Sequence, residues 1–294
     1  MPTRTVDQGF RDFLQTLTPT AGESQAAKNH RASIQACLKS NFNMTRFFRT
    51  GSFGNGTSIS GYSDVDYFAE IPTDKLKKNS TNTLREVRNA LDRRFPNTGV
   101  RVNCPAVLVP FGTEAKQSTE VTPADYIGVT TRNRYNVYEI PDCSDCWMRS
   151  SPDAHNAYVR AIDKDLNYKV KPLIRFIKAW KYYRNVPISS FYLELRVAKY
   201  AEGESSIVYS IDVKAVFSHL DSIDLARMQD PMGVSGYISP CSTQAQLDDA
   251  KSKLATALTR AQKARDAEVR GDTKEAFDWW NLLYAGNFPS YYYR

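Results

Sequence analysis

Apolar residues recur at helical spacing near the start of the chain. The first predicted helix covers residues 6–17 and carries apolar side chains at i, i+3, i+4 and i+7: Phe10, Phe13, Leu14 and Leu17. A second helix is predicted from about residue 25 to residue 42, where Ile34, Leu38 and Phe42 share one side. We therefore expect residues 1–45 to form an N-terminal helical scaffold.

The next part of the chain mixes both periods. Residues 63–71 alternate between apolar and polar side chains, which predicts a strand. A helix is predicted over residues 81–95, and proline, asparagine and glycine mark its end. Three short strands are predicted at residues 100–104, 106–111 and 118–122, the last closed by Pro123. Residues 46–150 are thus expected to form an α/β core.

From residue 151 onward the pattern is helical. Helices are predicted from residue 151 or 152, over residues 167–183, 187–201 and 244–270, and from residue 272 to about 286. The pattern predicts an α+β fold, and since no flexible linker separates the two halves, we expect one bilobed unit. In it, a mixed sheet with helices (46–150) packs on a helical lobe (151–294), and a central cleft lies between them.

The stretch 49–69 combines glycines with two carboxylates. Asp64 and Asp66 lie two positions apart on the predicted strand, so they project from one face about 6.5 Å apart, close enough to share divalent ions. The upstream turn at Gly51 and Ser52 offers N–H groups and a hydroxyl that suit phosphate oxygens. Together these features indicate nucleotide chemistry; the structural alternative for the Asp pair is an exposed strand edge.

A nucleotidyl transfer that uses two metal ions needs a third carboxylate on a neighbouring strand. The candidates are Glu114, Glu120 and Asp125. Glu120 lies in a β-favouring run, whereas Glu114 falls in a predicted hairpin turn and Asp125 follows Pro123. We therefore predict that Glu120 is the third ligand.

Two further groups of residues suit the phosphates and base of a nucleotide. Lys171, Arg175 and Lys178 are spaced i, i+4 and i+7 on a predicted helix and form a basic stripe, which could also be a solvated face. A serine and two aromatic residues open the next helix, where a phosphate and a base could bind: Ser190, Phe191 and Tyr192. The alternative for this second group is an ordinary N-cap followed by core aromatics.

Net charge adds one constraint on the partners. The 294 residues carry a formal charge of +7, which fits nucleoside triphosphates or nucleic acid as well as a merely basic soluble protein. The N-terminus lacks the apolar run of a signal peptide, and no stretch approaches 18 consecutive apolar residues. We therefore expect no membrane association.

The cysteines are five in number and scattered, which does not indicate a disulfide framework. A reducing, cytoplasmic location is therefore expected. Cys143 and Cys146 have the spacing of half a zinc site, but no second Cys/His pair matches it, so we interpret them as structural or incidental. The histidines show no catalytic context.

The residues and motifs described above resemble those of a known family. The Gly51-Ser52 turn, the Asp64-x-Asp66 pair and the run Glu-Val-Thr-Pro-Ala from Glu120 are similar to the polymerase-β-type nucleotidyltransferase superfamily, in its branch of oligoadenylate and cyclic GMP-AMP synthases. The segments KVKPLIRFIKAWKYYRNVPISSFYLELRVAKYA and DWWNLL resemble the bacterial CD-NTases, the second-messenger synthases of CBASS anti-phage defence. The resemblance spans about residues 45–290.

The resemblance implies roles for these residues. Ser52 would contact the β- and γ-phosphates, and two Mg²⁺ ions, or Mn²⁺, would be held by the three carboxylates: Asp64, Asp66 and Glu120. Glu120 would also help to deprotonate the attacking ribose hydroxyl, although many relatives carry Asp at this position. Lys178 and Ser190 would hold the donor triphosphate, and Phe191 or Tyr192 would stack on a base.

The function that this resemblance implies is template-independent synthesis of a cyclic oligonucleotide from NTPs, with ATP and GTP as the expected substrates. We expect a monomer that makes a purine cyclic dinucleotide and acts on an effector through its product. Nucleic-acid binding is possible but not required. The alternatives are a synthase of linear oligomers, a nucleotidyltransferase that modifies RNA, protein or a small molecule, and an inactive nucleic-acid-binding protein.

Overall fold

The computed structural model describes residues 2–62, 65–111, 118–131 and 133–293, with the backbone alone over residues 21–29. The chain divides into two compact units. The helical unit comprises residues 1–18, 158–231 and 237–294, and the sheet unit comprises residues 19–157 and 232–236. Asp64 and Glu114 lie outside the described residues.

The sheet unit is built on a seven-stranded mixed sheet. Its described elements are α2 (Ala21–Phe42), β1 (Arg46–Arg49), α3 (Gly51–Asn55), β2 (Val65–Glu70), α4 (Ser80–Arg94), β3 (Arg101–Asn103), β4 (Ala106–Val109), β5 (Thr119–Val129), β6 (Asn136–Pro141) and β7 (Trp147–Ser150). The strand order is β1-β2-β5-β4-β3, and the second half of β5 pairs with β6, which pairs with β7. Only β2 and β5 run parallel among these pairs.

The core of the sheet unit lies between the sheet and two helices. Leu84, Val87 and Leu91 of α4 pack with Ile34 and Leu38 of α2 in one apolar cluster with the sheet. These are residues whose spacing predicted both helices. The burial of this face stabilises the helices more than their intrinsic propensity does.

The helical unit contains α1 (Val6–Leu17), the end of α5 (Pro152–Asp165), α6 (Val170–Tyr183), α7 (Ser190–Ala201), α8 (Tyr209–Ser222), the two-stranded β8 (Met228–Gln229) and β9 (Tyr237–Ile238), α9 (Gln244–Val269) and α10 (Thr273–Leu283). Phe10 and Phe13 of α1 lie in an aromatic cluster with Phe176, Trp280 and Tyr284. This cluster fixes α1 in the helical unit, whereas α2 belongs to the sheet unit, so the two helices of the predicted N-terminal scaffold lie in different units.

The predicted fold class is confirmed: a mixed sheet with helices and a helical C-terminal part. The prediction that a strand ends before Pro123 is wrong, because β5 continues to Val129. Pro123 lies after the last residue paired with β4, Val121, and before the first paired with β6, Asp125. A residue without an N–H group is tolerated where the strand changes partner. The pattern also missed β1, β6, β7 and α8.

Candidate functional site

The parallel pairing of β2 and β5 brings two of the predicted carboxylates together. The Cα atoms of Asp66 and Glu120 are partners in the register. Paired residues on adjacent strands share a face and lie about 4.8 Å apart across the sheet. The third predicted carboxylate, Asp64, lies outside the described residues.

The register also bears on the rival candidate. Asp125 lies five residues beyond Glu120 on β5, and side chains alternate between faces along a strand, so an odd separation places them on opposite faces. Asp125 pairs with Glu139 of β6, and its Oδ1 accepts a hydrogen bond from Thr73 Oγ1 at 2.8 Å. This arrangement favours Glu120 over Asp125 as the partner of Asp66.

The glycine turn approaches Asp66 closely. Gly51 has φ +56°, and a Cβ atom placed on it would lie 2.0 Å from Asp66 Oδ2. The backbone is held there because the N–H group of Thr50 donates to the carbonyl oxygen of Asp66 at 2.9 Å. Only glycine fits this position, since it combines a left-handed conformation with the absence of a side chain. Ser52, the next residue, is half-buried in α3 beside this contact.

A side chain that the sequence did not indicate also contacts one of the carboxylates, Glu120. Asn103 Nδ2, at the end of β3, donates to Glu120 Oε1 at 2.6 Å. The registers Arg101–Leu108, Leu108–Glu120 and Glu120–Asp66 form one row across four strands, and Asn103 lies two residues along β3 on the same face. No local motif marks this residue, because the contact depends on strand order.

The donor set fits a divalent cation. Asp66 and Glu120 supply carboxylate oxygens, the ligands that Mg²⁺ and Mn²⁺ prefer, from one face of the sheet. Across the described ranges, no group of three or more His, Cys, Asp or Glu side chains is placed to hold a metal ion. The two carboxylates form the described part of the predicted metal site.

The predicted basic stripe on α6 is not a uniform face. Lys178 is fully buried, and its Nζ lies 2.7 Å from Oε1 of Glu194 on α7. The reason lies in the helical period: Lys178 follows Ile174 by four residues and Ile177 by one, so it falls within the core-facing side of α6. The interpretation as a solvated stripe is therefore wrong for Lys178, and its burial against Glu194 does not fit the predicted contact with the donor triphosphate either.

Lys171 and Arg175 are half-buried. The N–H group of Lys171 donates to Asp163 Oδ1 at 3.0 Å, and Arg175 Nη1 donates to Thr18 Oγ1 at 3.4 Å. Burial lowers the pKa of the Arg175 guanidinium, and the negative charge of Asp163 opposes that shift. These contacts tie both residues to their own unit.

Ser190 lies at the start of α7 and contacts two residues of α6. Its Oγ accepts a hydrogen bond from Lys181 Nζ at 2.5 Å and lies 3.3 Å from the hydroxyl of Tyr182. The pair Lys181–Ser190 and the pair Lys178–Glu194 follow one another along the same two helices, one turn apart. Lys181 and Tyr182 are thus further candidates that spacing alone did not single out.

The two aromatic candidates differ in exposure. Phe191 is 39% exposed. Tyr192 is fully buried and donates from its hydroxyl to the carbonyl oxygen of Ala226 at 2.7 Å, and burial raises its pKa. Since the ring of Tyr192 is enclosed by its own unit, the prediction that it stacks on a base does not fit, and Phe191 keeps that predicted role.

The cysteines depart from expectation. Cys104 and Cys143 form a disulfide, whereas Cys37 is buried and free, Cys146 is exposed and free, and Cys241 is half-buried and free. The sequence did not indicate this disulfide, which forms because the fold brings the turn between β3 and β4 next to the loop between β6 and β7. The interpretation of Cys143 as structural agrees with this disulfide.

None of the helices in the described part of the chain has both the length and the hydropathy needed to cross a bilayer.

Comparison with sequence families gives a match over more than half of the chain. The model of the "Second Messenger Oligonucleotide or Dinucleotide Synthetase domain" matches residues 4–162. This range contains the turn at Gly51, the described carboxylates of the sheet unit and Asn103. It ends within α5, before the Lys178–Glu194 and Lys181–Ser190 pairs.

Two curated relatives are similar over most of the chain. A probable cyclic nucleotide synthase of Bacillus cereus strain VD146 is 24% identical over 254 residues, which cover 81% of this chain and 75% of the relative. A cyclic AMP-AMP-AMP synthase of Acinetobacter sp. strain ATCC 27244 / 9458 is 24% identical over 97% of this chain and 86% of its own length.

Among solved structures, CdnC of Escherichia coli MS115-1, determined with ATP, has a TM-score of 0.74 at 18% identity. The match covers 96% of this chain and 98% of CdnC. At 18% identity, the similarity to CdnC shows that the two chains share a fold.

Proposed function

Because the chain belongs to the family of second messenger oligonucleotide or dinucleotide synthetases, we propose that it joins purine NTPs into a cyclic oligonucleotide without a template and releases pyrophosphate. The observation that carries this proposal is the pairing of Asp66 with Glu120 on adjacent parallel strands, against the backbone of Gly51. A binding protein has no need for two carboxylates on the face where phosphates would lie, since they repel the ligand unless a cation is present.

In this proposal the residues of the sheet unit hold the metal ions, accept a proton and contact the phosphates. Asp66 and Glu120, with Asp64, would hold two Mg²⁺ or Mn²⁺ ions, which would supply Lewis-acid activation of the attacking hydroxyl and stabilisation of the leaving pyrophosphate. Glu120 takes part in accepting the proton of the ribose hydroxyl. Ser52 and the N–H groups of its turn contact the β- and γ-phosphates of the donor.

In the helical unit, we assign phosphate binding to Ser190 and to the ammonium group of Lys181, whereas the fully buried Lys178 is assigned to holding α6 against α7. Lys181 already donates to Ser190, so the two side chains present a cation and a hydroxyl together. Lys178 is held by Glu194, which keeps its charge in a fixed position. Phe191 is the candidate for stacking on a base.

The product we propose is a purine cyclic dinucleotide made from ATP and GTP, which acts as a signal in anti-phage defence. The name of the Acinetobacter relative describes a cyclic trinucleotide of AMP. The mass of the product therefore separates the two ring sizes.

Incubation of the purified protein with Mg²⁺ and the four NTPs tests the activity. We expect oligonucleotides that survive phosphatase, identified by mass spectrometry, and resistance to an exonuclease that needs a free end identifies the cyclic form. Asp66→Asn and Glu120→Gln should each lower the rate by about 10²- to 10³-fold. Asp125→Asn is the matched control and should keep the rate within about twofold.

Three results would contradict the proposal: recovery of NTPs alone, the same product from Asp66→Asn, or transfer of label only to an added RNA, protein or small-molecule acceptor. A product that the exonuclease degrades would instead identify the protein as a synthase of linear oligonucleotides.

A further inference from the structure

The Cys104–Cys143 disulfide joins two parts of the sheet unit that are 39 residues apart in sequence. Cys104 lies in the turn between β3 and β4, directly after Asn103. Cys143 lies in the loop between β6 and β7. The disulfide therefore ties the turn that carries the hydrogen-bond partner of Glu120 to another edge of the same sheet.

The strand that leads into the turn, β3, has little packing of its own, whereas Cys104 in the turn is partly buried against the apolar core of the sheet unit. All three residues of β3 are exposed, including Val102 at 41%. A strand at the edge of a sheet with no buried side chain is held by its hydrogen bonds to one neighbour, here β4. A covalent link at its end is thus a substantial part of what restrains Asn103.

The other end of the disulfide is well anchored. The carboxylate of Asp142 accepts hydrogen bonds from the N–H groups of Ser144 at 2.8 Å and Cys146 at 2.9 Å. The carbonyl oxygen of Asp145 accepts from the N–H group of Ser80 at 3.1 Å, at the start of α4. The loop is therefore a fixed point against which the disulfide can hold the turn.

We propose that the Cys104–Cys143 disulfide is a redox-sensitive restraint that positions the Glu120 carboxylate through Asn103, so that the oxidised protein binds divalent metal more tightly than the reduced protein. The proposal rests on the proposed function in one respect, namely that Glu120 is a metal ligand. Asn103 is a positioning residue: its amide donates to Oε1 of Glu120 at 2.6 Å. Partners of this kind commonly change metal affinity by 10- to 100-fold.

The chemistry is reduction by a thiol of low molecular weight or by a dithiol. A thiolate attacks one sulfur of the disulfide, the other cysteine leaves as a thiolate and takes up a proton, and a second thiol resolves the mixed disulfide. Two electrons pass from the reductant, which becomes a disulfide, and the protein gains two thiols. In a reducing cytoplasm the restraint would be released, and oxidation would restore it.

The test compares metal affinity and thiol content in the two redox states of the full chain. The protein is prepared oxidised, or reduced with dithiothreitol and then desalted under nitrogen. Titration of denatured protein should find three thiols in the oxidised protein, Cys37, Cys146 and Cys241, and five after reduction. Electron paramagnetic resonance of free Mn²⁺ gives the affinity, and we expect the Kd to rise about tenfold on reduction.

Three variants separate the restraint from a general loss of structure. Cys104→Ser/Cys143→Ser should bind Mn²⁺ with the Kd of the reduced protein, and dithiothreitol should not change that Kd. Asn103→Ala should keep its disulfide, with three thiols before reduction, yet bind Mn²⁺ about tenfold more weakly in both redox states. Cys241→Ser, in the helical unit, should keep the full redox response.

Equal Mn²⁺ affinity in the two redox states of the wild-type protein, or a persistent response in Asn103→Ala, overturns the proposal and leaves the proposed function standing. Mn²⁺ binding that survives in Asp66→Asn/Glu120→Gln overturns the metal role of the carboxylates, and the proposed function fails with it.

Discussion

The carboxylate pair of the sheet unit and the lysine–serine cluster of the helical unit were both predicted as parts of one activity, but they are built in different ways. Asp66 and Glu120 are placed by backbone register, and a backbone glycine packs against one of them. On α6 and α7, two successive side-chain pairs set the geometry, Lys178–Glu194 in the interior and Lys181–Ser190 at the start of α7.

Because the two groups of residues are held in different ways, substitutions in them should affect different properties of the protein. Half-buried carboxylates on strands cost little to replace by amides, so substitutions there should act on the reaction. A buried ion pair has been removed from water at both ends, and breaking one partner leaves a charge that nothing compensates. We therefore expect substitutions in the sheet site to change rates and substitutions of the buried pair to change folding first.

The largest expected effect is on Lys178. Lys178→Met leaves the Glu194 carboxylate buried without its partner, and we expect the free energy of unfolding to fall by about 3–5 kcal/mol. Lys181→Met, one turn away on the same helix and only half-buried, should cost less than about 1 kcal/mol. Urea denaturation followed by circular dichroism measures both.

The double variant Lys178→Met/Glu194→Leu should recover most of the loss, because it removes both charges from the interior. Equal stabilities of Lys178→Met and Lys181→Met would mean that the Lys178–Glu194 pair does not hold α6 and α7 together.

The second effect concerns Gly51. Gly51→Ala places a methyl group where Asp66 Oδ2 lies, so the carboxylate must move, and a displacement of about 1 Å at reacting groups can lower a rate about 10²-fold. Gly99 also has a positive φ, +74°, but no atom lies within 4 Å of its would-be Cβ. Gly99→Ala is therefore the matched control for the conformational cost alone.

Gly99→Ala should lose about 1–2 kcal/mol of stability because it forces an L-residue into the left-handed region, and Gly51→Ala should lose at least as much because its methyl group also displaces Asp66. Only Gly51→Ala should lose activity, measured as initial rate of product formation. Similar rates for the two variants would refute the role of the Gly51–Asp66 contact.

The predictions that depend on local spacing along the chain agree with the structure. Alternation along residues 63–71 predicted strand β2, and helical spacing of Leu84, Val87 and Leu91 predicted α4. The choice of Glu120 over Asp125 followed from the β-favouring residues around Glu120, and the register favours the same residue. In each case the prediction itself came from the period or the residue preferences of one element.

What the sequence did not predict depends on contacts between elements. Asn103 meets Glu120 only because β4 lies between β3 and β5 in the sheet. The Cys104–Cys143 disulfide depends on where two loops end. The positions of Ile174 and Ile177 place Lys178 on the buried side of α6. A charged side chain is normally exposed, and Lys178 is buried because Glu194, on another helix, supplies the opposite charge.

A smaller effect distinguishes the two adjacent serines at the start of α7. Ser189 is the N-cap, whose side chain accepts from the N–H group of Tyr192, and Ser190 accepts from Lys181. Ser189→Ala should cost about 1 kcal/mol of stability with an unchanged KM for NTP. Ser190→Ala should leave stability within about 0.5 kcal/mol and raise that KM about tenfold, or about 1.4 kcal/mol.

Steady-state kinetics and urea denaturation on both serine variants provide the measurement. If Ser189→Ala changed the KM and Ser190→Ala changed only stability, the assignment of phosphate binding to Ser190 would be wrong.

The smallest effect is a pH dependence that should appear in the helical unit. Burial and the nearby Arg196 lower the pKa of His219 below its ordinary value of 6.5. The unfolded chain therefore takes up the proton at a higher pH than the folded chain does. Stability is then fully present above pH 6.5 and is lost as the pH falls through the lowered pKa. His219→Gln should reduce this loss between pH 6.5 and 5.

Unfolding followed by tryptophan fluorescence measures the loss of stability, since Trp180, Trp279 and Trp280 report on the helical unit and only Trp147 on the sheet unit. An identical pH dependence in the wild-type protein and His219→Gln would assign the loss to other groups.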